Sequence, residues 1–125
     1  MYSYLFVNGL IFLVVGLRGL FKPVETVATP YGLIAEEVDA RNYLRAGAGG
    51  VVIAAGALQI VGVLLPSLAL PALIMVVTLL GGMVGGRLVS LVLDGRPTVV
   101  PWIAGGFETL GLALGGYWLW VELTR

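Results

Sequence analysis

The sequence predicts an all-α integral membrane protein, a bundle of four transmembrane helices joined by short loops, and three observations carry that prediction. Hydrophobic residues make up 59% of the 125 positions and charged residues only 11%, with a mean hydropathy of +1.04, whereas a soluble domain carries about 25% charge. Apolar runs of about 20 residues, enough to cross a bilayer's hydrocarbon as a helix, occur four times. Seventeen of the 19 glycines fall inside these runs, where small residues let helices approach closely in lipid. A soluble chain of this length could not hide so much apolar surface, because about a third or more of what the unfolded chain exposes stays wet after folding.

The expected spans cover residues 4–21, 42–65, 71–93 and 100–121 and leave no room for a second domain. The first begins "YLFVNGLIFLVVGLRGLF". It reads as a span and not a signal peptide, because no Lys or Arg precedes it, the apolar run is long for a signal core, and positive charges follow it. Loop 1, residues 22–41, is broken by Pro23, Pro30 and Gly32, and its stretch 33–41 reads as an interfacial helical lead-in with Asp39 as N-cap. "PSLALP", residues 66–71, is a tight turn. "DGRPTVVP", residues 94–101, is the third loop, with Gly95 and Pro97 suited to ending a helix.

Six of the seven basic residues (Arg18, Lys22, Arg41, Arg45, Arg87 and Arg96) lie at or near loops 1 and 3, and only Arg125 lies at the other end. The positive-inside rule then places loops 1 and 3 in the cytoplasm and both termini outside, which in a bacterium describes an inner-membrane protein. Tyr2, Tyr4, Tyr117, Trp118 and Trp120 form an aromatic belt on one face of the membrane and Trp102 marks the other. Asn8 and Gln59, isolated in apolar surroundings, read as interhelical hydrogen bonds.

"GGMVGG", residues 81–86, contains two small-xxx-small pairs, Gly81/Gly85 and Gly82/Gly86, and the last span repeats the spacing with Gly111/Gly115. Ala46, Gly50 and Ala54 offer a third set. Such pairs serve packing within a bundle or between copies of the chain, and the spacing alone does not choose between a monomer, a homo-oligomer and a subunit of a larger complex.

Polar residues converge at one depth. Arg87, Ser90 and Asp94, at i, i+3 and i+7, share a helix face. Arg87 lies roughly 9 Å from its helix end, and Glu108 roughly 12 Å inside the fourth span from the same side. Arg45, with Asn42 a turn above it, and Arg18 approach the same level from the second and first spans. A buried Arg/Asp/Glu cluster of Arg45, Arg87, Asp94 and Glu108, ringed by Asn42, Ser90 and Arg18, is therefore the candidate site. Glu108 is the most informative member, because a short carboxylate among apolar residues must pair or take up a proton, and Arg87 or Arg45 is its expected partner. Asp94, at a helix C-terminus that disfavours an anion, calls for Arg96 or an arginine of another helix. Four arginines against two acids suit an anionic lipid head. The same cluster also fits a structural clamp that fixes helix register.

The quoted segments resemble a family of small four-helix membrane proteins, domain of unknown function 4345. The likeness rests on "GLRGLFKP" (Gly16, Arg18, Gly19, Pro23), "NYLRAGAGG" (Asn42, Arg45, Ala46, Gly49, Gly50), "GRLVSLVLDGRP" (Gly86, Arg87, Ser90, Asp94, Gly95, Pro97) and Glu108. It spans nearly the whole chain and implies a topology without an activity.

With no Cys and no His, thiol chemistry and His-ligated metal are excluded, and the sequence calls for no cofactor. Zero net charge offers no field for nucleic acid. Nothing resembles a nucleophile elbow or a P-loop. Three classes remain. One is a non-enzymatic accessory subunit. The second is a binder of a lipid, isoprenoid or quinone, and the third is a small carrier or proton pathway centred on Glu108.

Overall fold

A computed structural model describes residues 1–125, all of it helix, turn or irregular chain, with no strand. Four helices are long and apolar enough to cross a membrane. They are α1 (Tyr2–Phe21), α2 (Val38–Leu64), α3 (Ala69–Leu93) and α4 (Val99–Thr124). Each starts a little earlier than its apolar run, because the polar or proline-containing flank completes the first turn. Pro71 and Pro101 sit in those first turns, where a missing N–H costs no helical hydrogen bond.

Loop 1 departs from expectation. A turn of π-helix forms at Val24–Ala28 and is closed by Gly32, whose φ of +69° a side chain would strain. Residues 33–37 are not helical, and α2 opens at Val38 with Glu37 as its cap residue and no side-chain cap bond. Asp39 therefore lies in the first turn and does not cap it. Arg41 reaches back instead, donating to the carbonyls of Ala35 (3.1 Å) and Glu36 (2.5 Å). That ties down backbone which a helix would otherwise have satisfied. The end of α3 follows the sequence: Asp94 is the last cap residue and Gly95 takes φ +91°.

Within α2 the turn Arg45–Gly50 widens to π geometry, in a stretch that carries only Gly and Ala after Arg45. Consecutive helices run antiparallel, and the closest approach in the molecule is between α1 and α2. A Cβ on Gly56 would lie 2.9 Å from the Gly9 carbonyl and 2.9 Å from the Leu13 nitrogen, and one on Gly49 would lie 2.7 Å from Leu20 Cα. Gly9, Gly16 and Gly19 face this seam from α1. Asn8 Nδ2 crosses it to Gln59 Oε1 (2.7 Å), and the fully buried Gln59 donates on to the Ala55 carbonyl (3.1 Å).

The core proper is Leu5 with Ala69, Ala72, Leu73, Val76 and Leu80, toward the end of the bundle that holds the turn, which is shorter than expected and covers only Pro66–Leu68 before α3 begins. Gly111 and Gly115 of α4 meet Leu80 and Val77 of α3, and the Tyr4 hydroxyl donates to the Gly111 carbonyl (2.9 Å). Past Leu80 no residue of α3 is buried. The glycines of "GGMVGG" differ from the expectation of a packing seam: Cβ atoms on Gly82, Gly85 and Gly86 would meet nothing within 4 Å, and one on Gly81 only Leu112 at 3.8 Å. Ala46 and Ala54 are likewise exposed.

This contrast sets a stability test. Gly56→Leu should force α1 from α2 and cost about 1–3 kcal/mol or more as overpacking, seen as a lowered melting temperature in detergent. Gly82→Leu should stay within about 0.5 kcal/mol of wild type.

Candidate functional site

Past the buried part of α3, one ion pair links it to α4. Arg87 Nε donates to Glu108 Oε2 at 2.5 Å and Nη2 to Oε1 at 2.7 Å. This two-point arrangement is the strongest a guanidinium makes with a carboxylate. The two side chains retain 31% and 11% exposure. Gly105, one turn before Glu108, is what admits the arginine: a Cβ there would lie 3.2 Å from Arg87 Cδ. Thr109 beside the pair turns its hydroxyl back to the Gly105 carbonyl (2.7 Å) and makes no demand on it.

Arg87 forms part of the wall of a cleft of about 720 Å³, with Glu108 outside the lining. Met83, Val84, Gly86, Leu88, Ser90 and Leu91 of α3 form one side, and Pro101, Trp102, Gly105, Gly106 and Thr109 of α4 the other; Pro97 and loop-1 Tyr31 complete it. The open glycines of α3 and α4 explain the space, since Gly86 and Gly106 have no neighbour where a side chain would project. Tyr31 lies beside the Arg87 guanidinium. Arg87 is the only charged residue lining the cleft.

The wider cluster expected from the sequence does not assemble. Arg45 is exposed and donates to the Leu20 carbonyl at the end of α1, because its position on α2 faces the α1 terminus and not α3 or α4. Asp94 is exposed and makes no ion pair; its partner is the Ser90 hydroxyl at 2.9 Å. The arginine expected for it is not there: Arg96 makes no ion pair with it. Asn42, Arg18 and Arg96 are exposed and stay apart from the pair. A surplus of arginine at one point is therefore absent, and Arg87 meets a single acid that offsets its charge.

A family model described as domain of unknown function (DUF4345) matches residues 2–120. The chain belongs to this family. No curated protein and no solved structure matches it.

Several residues of the cleft escaped the sequence reading. From the sequence Trp102 reads as part of the interfacial belt, and nothing singles out Tyr31, Gly105 or Gly106. The available signal is Gly105, one turn before Glu108, which puts a small residue on the face beside the charge.

Arg87→Met or Glu108→Leu alone should lower stability by about 2 kcal/mol, below the 3–5 kcal/mol of a fully buried pair, because Arg87 keeps 31% exposure. The double variant should recover most of the loss, giving a non-additive double-mutant cycle in thermal denaturation.

Proposed function

We propose that this membrane protein binds one amphiphilic molecule in the α3/α4 cleft, with the polar head at Arg87 and the tail along the apolar walls of Met83, Leu88, Leu91 and Trp102. The observation that carries this reading is the cleft itself. At about 720 Å³ it falls within the range of small-molecule sites, which are mostly apolar with a few placed polar groups. A charge pair at membrane depth marks a functional site by default, and this one faces the opening between two helices. The ligand is a lipid, isoprenoid or quinone, and the role is non-enzymatic.

The outward residues of α4, among them Phe107, Leu110, Leu114 and Trp120, are apolar, and lipid alone covers such a face. An accessory role in a larger complex would instead use the open face of Gly82, Gly85 and Gly86, against which nothing in the chain packs. A carrier centred on Glu108 would need that carboxylate free to exchange its partner, and both of its oxygens are engaged by Arg87. We place the protein in the inner membrane with loops 1 and 3 cytoplasmic, on the distribution of Lys and Arg.

Native mass spectrometry of protein extracted gently from its own membrane tests the reading. Wild type should carry a reproducible adduct of amphiphile mass. Gly86→Phe, which fills open space without touching the helix seams, should weaken it by about tenfold or more, which is ~1.4 kcal/mol. Absence of an adduct, or an equal adduct in the variant, contradicts the proposal.

A further inference from the structure

We infer that the head group this cleft selects is uncharged and presents a hydrogen-bond acceptor, a carbonyl above all, in preference to a phosphate or carboxylate. The inference rests on the proposal that the cleft binds an amphiphile and names the chemistry it takes.

The charge balance of the site excludes a strong preference for anions. Arg87 is the only cation of the lining, and its charge is opposed at 2.5 and 2.7 Å by Glu108. An anion that approached Arg87 would also approach the Glu108 carboxylate, in a medium where Coulomb terms are screened far less than in water. The other arginines that could reinforce an anion site are elsewhere: Arg45 is committed to the Leu20 carbonyl, and Arg18 and Arg96 are exposed and outside the lining.

The donor inventory points the same way. A guanidinium has five N–H donors and no acceptor. Two go to Glu108, and the rest are left to the cleft and to neighbouring Tyr31. The other hydroxyls of the lining are spent, Thr109 on the Gly105 carbonyl and Ser90 on Asp94. Glu108 is buried behind the arginine with both oxygens in use. The cleft therefore offers donors with almost no net charge. A neutral carbonyl satisfies that set, whereas a cationic or purely donating head does not. Such a carbonyl can come from an acyl ester or from a quinone ring, and the shared chemistry is the same.

The test uses the full chain, stripped of co-purified lipid, in neutral detergent at alkaline pH. Native mass spectrometry compares oleate, methyl oleate and decylubiquinone. The first two share a tail and differ in charge. Methyl oleate, decylubiquinone or both should be retained at least about tenfold better than oleate, and whichever of the two dominates identifies the source of the carbonyl. Glu108→Gln, which frees the positive charge of Arg87, should shift the preference toward oleate by a similar factor. Oleate retained as well as the neutral probes by wild type overturns the inference and leaves the amphiphile reading standing; this comparison decides the matter even if the variant fails to fold. Retention of none of the three overturns both.

Discussion

A charge inside a bilayer must be paired, and in this protein that requirement falls on Arg87 and Glu108. They sit on consecutive antiparallel helices, so their two-point contact fixes how far α4 is slid along α3. The neighbouring contacts agree with the same register, with Leu80 against Gly111 and Val77 against Gly115. A one-turn slip would move the pair apart by about 5.4 Å and leave a carboxylate unpaired in lipid, which costs several kcal/mol. Where apolar burial cannot drive helices together, such a penalty gives specificity that greasy surfaces lack.

The two hairpins are held by different means. α1 and α2 meet along glycines so closely that backbone touches backbone, with the Asn8–Gln59 bond across the seam. α3 and α4 close tightly only over the half that contains the buried core residues. Beyond Leu80 no residue of α3 is buried, the ion pair bridges the two helices, and loop 1 adds Tyr31 to the cleft between them. Glycine thus does opposite work in the two places. Where a partner backbone is near, it permits contact; where none is near, at Gly86 and Gly106, it leaves space for something else.

The membrane class and the four helices were legible because length and apolarity alone determine them. That Glu108 pairs with an arginine was legible because burial leaves so few solutions for a lone glutamate, but the sequence left Arg87 and Arg45 both open, and the structure picks Arg87. The rest of the cluster was not, since depth along a helix says nothing about which way the helix faces. Arg45 shares the depth of Glu108 yet points at the end of α1. The glycine motif misled for a related reason: spacing shows that a face is flat without showing whether anything lies against it. Tyr31 entered the site through a loop whose π turn and glycine-closed bend have no periodic signature.

Solid-state NMR of the protein in lipid bilayers tests the central claim most directly, by measuring the dipolar coupling between the Arg87 guanidinium nitrogens and the Glu108 carboxyl carbon. Strong coupling from both Nε and Nη2, with the carboxylate ionised, is the result that two direct hydrogen bonds require. A protonated Glu108 with no coupling to Arg87, and an Arg87 in contact with lipid head groups, would show that the arginine has snorkelled and that no charge pair holds the second hairpin in register.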